Sequence, residues 1–298
     1  MKNFKLLRSL MFVPGHNDRL LESAGRSVAD ALLLDIEDSV QPCENKAVAR
    51  SKILEKLDSG IYKNHLVFPR VNDRESGELL KDVMALTVEG IDGFVYPKSM
   101  TGQDVYFFDK LLETIEYEKG ISKGHFKIIP LIETTAAVLN AQEIIQASPR
   151  VIAIAFGCED YITNLKGVHD IEGESIFTAR SVIAMAARAN GVIPIDTVHI
   201  RVHDLEDLEK NLILAKKLGY EGMLILHPKE IDLAHQYFSP TEEEIGNARE
   251  MLNLSKKARE DNKGVAIMSG KFIGPPMVLA AKEVLQKAEI IKEKEASR

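Results

Sequence analysis

Three carboxylates, Asp35, Glu37 and Asp38, close the apolar run Leu32-Leu33-Leu34 in "LLLDIEDSV". Glu133 in "PLIETT" and Asp160 in "FGCEDY" likewise end apolar segments, and Arg70 leaves another in "LVFPRVN". A carboxylate at the end of a buried strand either caps the amides of the following helix or faces a cation. Two carboxylates, completed by water and substrate oxygens, suit Mg²⁺, which keeps few protein ligands and hydrates strongly. Taken together, Glu133 and Asp160 favour the metal. Zinc is disfavoured, since the eight histidines show no HExxH or similarly tight spacing. Arg70 stays charged and can grip a carboxylate through two parallel N–H bonds, which suits a substrate anion beside a metal. A salt bridge to Asp35, Glu37 or Asp38 is its structural alternative. His227 in "LHPKE" is either a base or a satisfied structural histidine. Cys158 has no base beside it in the sequence to make it a nucleophile.

These residues need a scaffold that brings many strand ends to one place. Short apolar runs recur at Leu10–Val13, Ala31–Ile36, Leu66–Pro69, Gly93–Tyr96, Lys127–Ile132, Val151–Phe156, Pro194–Ile200 and Gly222–Leu226. They are rich in Val, Ile, Leu and Phe, as parallel strands buried on both faces should be. Helical patterns such as "NDRLLESAGRSVA", "ENKAVARSKILEKL" and "ESIFTARSVIAMAARANG" lie between them, the last ending at a C-cap glycine, Gly191. Eight strands alternating with helices predict an α/β fold, a (β/α)8 TIM barrel, whose polar strand ends converge on one face. A doubly wound sheet competes, but no GxGxxG follows the first strand. The barrel is expected over 1–238 and a C-terminal helical extension over 239–298. In the extension, "TEEEIGNAREMLNLSKKARED" opens with a capping box at Thr241 and Glu244, and "NKGVAIMSGKFIGPPM" reads as loop. A barrel closes without this extension, which is free to cover the barrel mouth or reach a neighbouring subunit.

The composition agrees. The 298 residues are 45% hydrophobic and 28% charged, as in a soluble globular protein with a sizeable core. A net charge of −7, with no basic block, argues against nucleic acid. Cys43 and Cys158 lack CxxC spacing, so reduced thiols in a cytoplasmic protein are expected. The opening "MKNFKLLRSLMFVPG" loosely resembles a signal peptide, but Arg8 interrupts it and no small-residue cleavage site follows. No window reaches the roughly 18 apolar residues of a membrane span.

The segments "LRSLMFVPG", "DALLLDIEDSV", "PRVN", "PLIETTAAVLNAQEI", "AFGCEDY" and "FTARS", in this order over nearly the whole chain, resemble the citrate lyase β-subunit family. That family belongs to the HpcH/HpaI aldolase superfamily and includes malyl-CoA and citramalyl-CoA lyases. The resemblance implies a (β/α)8 barrel, commonly a homotrimer, that binds Mg²⁺. It also implies cleavage of a carboxylated 3-hydroxyacyl thioester (malyl-, citramalyl- or citryl-) to an acetyl thioester and an oxo-acid. By motif, Glu133 and Asp160 match the metal ligands, and Arg70 matches the arginine that holds the oxo-acid. Glu37 and Asp38 match residues that orient Arg70 and the metal's water. Phe12 and Arg19, around the "VPG" loop, match positions that touch CoA, which favours CoA over a carrier-protein thioester. With His227 they complete the substrate-binding candidates. The stretch "EDYITNL…EGESIFTAR" reads closer to the citrate lyase β subunit itself. One departure stands out: the family's C-terminal loop resembles Gly-Lys-x-x-Asp-x-Pro, its aspartate serving a neighbour's site as acid/base, whereas "GKFIGPP" has Gly274 there. The same site therefore also admits a thioester hydrolase, an oxo-acid-binding protein or a subunit of a lyase complex.

Overall fold

A computed structural model describes residues 6–170, 173–260 and 266–296. Residues 1–5 of the opening segment, 171–172, 261–265 of the stretch read as loop, and 297–298 lie outside the described residues. The chain divides into two compact units, Met1–His235 and Gln236–Arg298.

The first unit is the barrel. Its strands are β1 (Ser9–Pro14), β2 (Ala31–Asp35), β3 (Leu66–Val67), β4 (Gly93–Tyr96), β5 (Lys127–Ile132), β6 (Ala153–Phe156), β7 (Ile193–Asp196) and β8 (Gly222–Ile225). All pair in parallel, in the order β3-β2-β1-β8-β7-β6-β5-β4. The remaining gap, between β3 and β4, is bridged by Arg70, whose backbone pairs with Asp35 on one side and Val95 on the other. β3 is short because Pro69 has no N–H for the ladder, yet Arg70 N–H still donates to Leu34 O at 3.0 Å and Val95 N–H to Pro69 O at 2.9 Å. Closure leaves no open sheet edge. It also packs backbones tightly: a Cβ on Gly222 would lie 1.7 Å from Leu7 O, so β8 needs glycine at that point.

The barrel interior is filled by alternate residues, as a period of two requires. Leu10, Ala31, Leu33, Leu66, Phe68, Val95, Ile129, Leu131, Ala153, Ala155, Ile195 and Leu224 form one buried cluster, with Phe12 and Val198 packed against it. One further step along the same series (31, 33, then 35; 66, 68, then 70; 129, 131, then 133; 153, 155, then 157) reaches Asp35, Arg70, Glu133 and Gly157. Packing parity thus delivers the polar residues to the top of the core.

β7 stops at Asp196 rather than running on to Ile200 as expected. Asp196 is buried and takes a guanidinium: Arg180 Nε donates to Oδ1 at 3.1 Å and Nη2 to Oδ2 at 2.5 Å. The residues from Thr197 to Ile200 lie beyond the strand.

In the second unit, helix Glu242–Glu260 carries the expected capping box: Thr241 N–H donates to Glu244 Oε2 at 2.8 Å, and Glu244 N–H to Thr241 Oγ1 at 3.1 Å. The segment read as loop contains an antiparallel hairpin, β9 (Ala266–Met268) with β10 (Lys271–Ile273). Ser269 and Gly270 both have positive φ, 50° and 76°, the two-residue turn whose twist matches paired strands. Ala258, Ala266 and Ile273, with Met251, Leu254, Met268 and Val278, form a small core. Helix Pro275–Ala296 ends the unit. No helix among the described residues is long and apolar enough to cross a membrane.

Replacing Arg180 with Met should strand the Asp196 carboxylate in the core. Loss of one partner of a buried ion pair costs roughly 3–5 kcal/mol. Urea unfolding should show that deficit, and an Arg180→Met, Asp196→Leu double variant should recover much of it.

Candidate functional site

Above the apolar layers lies a cavity of about 470 Å³. Its polar wall is Asp35, Asp38, Ser39, Arg70, Glu133, Glu159 and Asp160; Phe12, Leu131, Val198, Leu224 and Leu226 form its apolar wall. A second cavity of about 350 Å³ shares Cys158, Glu159, Val198 and Ile200 with it but holds neither Glu133 nor Arg70.

Glu133 follows β5 directly and is 2% exposed. Its Oε2 accepts the backbone N–H of Lys98 at 2.8 Å. The neighbouring strand makes room for it: a Cβ on Gly157 would fall 2.6 Å from Glu133 Cγ. Burial, reinforced by the charge of Glu37, pushes the Glu133 carboxyl up to about 8. Asp160 lies on the same wall but differs in placement. It stands in the first turn of helix Cys158–Leu165, four residues beyond the end of β6, and is exposed. It is a helix N-terminal carboxylate and a cavity-lining one at once, so the two readings of that residue are compatible.

Arg70 is held almost entirely by the protein. Nε donates to Asp35 Oδ1 at 2.7 Å and Nη2 to Asp35 Oδ2 at 2.8 Å, so the parallel fork is filled by Asp35. Nη1 lies 2.9 Å from Glu37 Oε2 and 3.4 Å from Asp38 Oδ2. Arg70 is therefore the salt-bridged residue of the structural alternative, and what it presents to the cavity is an edge of its guanidinium rather than the fork. Phe12 backs it, with Arg70 Cζ 4.8 Å from the ring centroid, a cation–π contact. Burial raises Asp35, but Arg70 more than reverses this and holds it below the usual carboxylate range. Asp35 also accepts the N–H groups of Glu37 and Ser39, which shapes the turn after β2.

Glu37 is 3% exposed, and burial lifts it to about 7 despite the charge of Arg70. Its oxygens lie at ion-pair distance from Arg70 Nη1 and Lys98 Nζ (3.1 Å) without hydrogen-bond alignment. Asp38 is exposed at the rim.

Arg19, His227 and Cys158 stand elsewhere or do other work. Arg19 is exposed on helix Asp18–Ala24 and does not line the cavity. His227 caps the 3₁₀ turn Pro228–Glu230, accepting Lys229 N–H on Nδ1 at 3.2 Å, and also lies off the cavity wall. Cys158 is buried, its thiol pushed up to about 12 by burial, which suits packing rather than attack. Gly274 lies between β10 and helix Pro275–Ala296, with Met277 N–H donating to its carbonyl at 3.1 Å.

The sequence reading named Asp35 as one of three possible partners of Arg70, and the structure selects it; the reading passed over Lys98 and Glu159, whose Oε1 accepts the Cys158 thiol at 3.3 Å. Strand parity would have singled out Asp35 among the three. The dipeptide "ED" would have flagged Glu159 beside Asp160.

On the cavity wall Asp35, Asp38, Glu133, Glu159 and Asp160 face one guanidinium, that of Arg70. Asp35 neutralises it, which leaves surplus negative charge beside a buried carboxyl. A cation fits that balance. Among the described residues no three His, Cys, Asp or Glu side chains gather into a metal cage. A cation here would draw on two carboxylates and take its other ligands from water and substrate, the habit of Mg²⁺.

Three comparisons bear on this site. The family model described as HpcH/HpaI aldolase/citrate lyase matches residues 8–228. The citrate lyase subunit beta of Leuconostoc mesenteroides subsp. cremoris is 34% identical over 288 residues, covering 97% of this chain and 95% of that one. The L-malyl-CoA/beta-methylmalyl-CoA lyase of Rhodobacter capsulatus is 28% identical over 308 residues, covering 97% and 96%. The crystal structure of CitE from Mycobacterium tuberculosis, in complex with magnesium, acetoacetate and coenzyme A, shares the fold with a TM-score of 0.76. It is 24% identical, with 96% of this chain and 100% of that chain covered.

Because Glu133 binds its proton more tightly in the fold (about 8) than the ordinary 4.5, the stability of the metal-free protein should fall as pH rises between those values. Glu133→Gln should flatten that slope, with a gain on the order of 3 kcal/mol above pH 8. Urea titrations from pH 5 to 9 measure it, and parallel curves for the two proteins would exclude a raised Glu133.

Proposed function

Because this chain belongs to the HpcH/HpaI aldolase/citrate lyase family and is thereby a carbon–carbon lyase of CoA esters, we propose that it is Mg²⁺-dependent. We further propose that it cleaves a short carboxylated 3-hydroxyacyl-CoA, of the malyl, citramalyl or citryl kind, to acetyl-CoA and an oxo-acid. The observation that supports this most is the meeting of Glu133, Asp160 and Arg70 on one cavity wall above the barrel core.

Glu133 and Asp160 would hold the ion. When bound, Mg²⁺ supplies a Lewis acid for the carboxylate and hydroxyl oxygens of the substrate. Arg70 adds fixed positive potential on the same side through Nη1, and Asp35 and Phe12 keep it from turning away. Glu37 and Asp38 hold Nη1 in place until an oxo-acid oxygen competes for it. The apolar wall of Leu131, Val198, Leu224 and Leu226 excludes water beside the breaking bond. Phe12, on the cavity wall, and Arg19, on the helix after β1, stand on the βα1 side and remain the proposed CoA contacts. A homotrimer, and a place in a lyase complex, belong to the same proposal.

Gly274 favours a second reading, slow turnover or hydrolysis. Its φ lies outside the left-handed region, and a Cβ there would meet Phe272 Cε1 at 3.3 Å, a contact that an exposed ring can yield. The backbone therefore does not demand glycine. If a carboxylate at this position moves the proton, Gly274→Asp should raise kcat by about 10²-fold or more, since a positioned acid/base contributes roughly 10²–10⁴-fold. Incubating malyl-, citramalyl- and citryl-CoA with Mg²⁺ decides among the readings. Oxo-acid with acetyl-CoA supports the lyase, free CoA alone supports a hydrolase, and no product supports a binding role.

Asp160→Ala should abolish Mg²⁺ binding by calorimetry while shifting stability by no more than about 1 kcal/mol, the range for an exposed helix N-terminal charge. Unchanged Mg²⁺ affinity would remove Asp160 from the site.

A further inference from the structure

Lys98 follows β4 and Pro97 and has a φ of 50°, a left-handed backbone in a residue that carries a full side chain. Glycine adopts this conformation without steric penalty, so a lysine there implies that its side chain contributes. Its backbone N–H donates to Glu133 Oε2 at 2.8 Å. Its ammonium lies 3.1 Å from Glu37 Oε1 and 3.2 Å from Asp73 Oδ2. Asp73, in turn, accepts the N–H groups of Glu75 and Ser76 and fixes the turn after Arg70. One residue therefore ties together the chain segments that follow β2, β3, β4 and β5.

We propose that Lys98 is a positioning residue for the site: its strained backbone fixes one oxygen of Glu133, and its ammonium holds Glu37 and Asp73 so that this backbone stays in place. The other Glu133 oxygen is thereby left to the cavity, which Lys98 itself does not line. The three donors of an ammonium suit such a bridge, because they reach separate carboxylates without imposing a plane. Glu133 sits beside Gly157, where the missing side chain leaves it no lateral support from β6 beyond contact. The amide of residue 98 therefore decides which way its carboxylate turns.

The inference rests on reading Glu133 as a metal ligand, and the test separates the two. On the full chain, Lys98→Gly removes the ammonium and relieves the backbone, Lys98→Met removes the charge and keeps the strain, and Lys98→Arg keeps the charge. Mn²⁺ binding followed by electron paramagnetic resonance is the first readout. Deleting a positive charge beside a cation site would by charge alone tighten cation binding, so weakening reports lost geometry. The glycine variant should melt close to the parent yet bind Mn²⁺ at least fivefold more weakly. The methionine variant should bind as weakly and melt lower, and the arginine variant should stay within twofold of the parent. Equal or tighter Mn²⁺ binding in the glycine variant overturns the role. If the parent itself binds no Mn²⁺, the metal reading fails, and a crystal structure of metal-free Lys98→Gly still decides the positioning role. Glu133 out of hydrogen-bond reach of the residue 98 amide sustains it, and Glu133 unmoved overturns it.

Discussion

The pairing of Arg70 with Asp35 is the interaction on which the rest of the barrel depends. Its backbone half closes the seam between β2 and β4, where the ladder of β3 has run out at Pro69. Its side-chain half places a permanent cation under the cavity and satisfies it with two aligned bonds. A buried guanidinium without such a partner would be prohibitively unfavourable, and a buried aspartate without the guanidinium equally so. The same two residues thus serve fold closure through their backbones and the charge of the site through their side chains.

Around that pair the charges are deliberately unequal. Glu37 and Glu133 are nearly excluded from water, and burial raises both, with the charge of Glu37 adding to the cost of ionising Glu133. Stability alone would favour apolar side chains at both positions. Charge imbalance of this sort, at the end of a barrel where loops converge, is what the proposed cation site would require.

Much of this was legible in the sequence, for reasons visible in particular residues. The eight apolar runs are strands because both faces of a parallel strand are covered, so the hydrophobic signal is continuous and needs no alternation. Glu133 was legible because a carboxylate after "KIIPLI" has no place in a core. Asp160 was expected at a strand end and lies instead in the first turn of a helix, since a sequence does not mark where β6 hands over to the helix at Cys158. The overrun of β7 has a similar origin: Asp196 looks like a break only once Arg180, 16 residues earlier, is seen to neutralise it. The hairpin at Ser269-Gly270 was hidden by the glycines and prolines around it. Lys98 carried no signal, because its part in the site is played by its backbone amide and a φ value that no residue type announces.

The inward series that ends in Asp35, Arg70, Glu133 and Gly157 also constrains how the chain can change length. In a strand, one added or lost residue turns every later side chain to the opposite face. A single-residue insertion in β5 below Leu131 would send Glu133 toward the surrounding helices and turn an apolar neighbour into the cavity. Two residues would restore the facing, though one layer higher. Gene variation in these strands is therefore read in odd and even steps: odd ones erase the chemistry at a stroke, and even ones move it along the barrel axis. The loops beyond the strand ends carry no such arithmetic, and they are where this scaffold can lengthen freely.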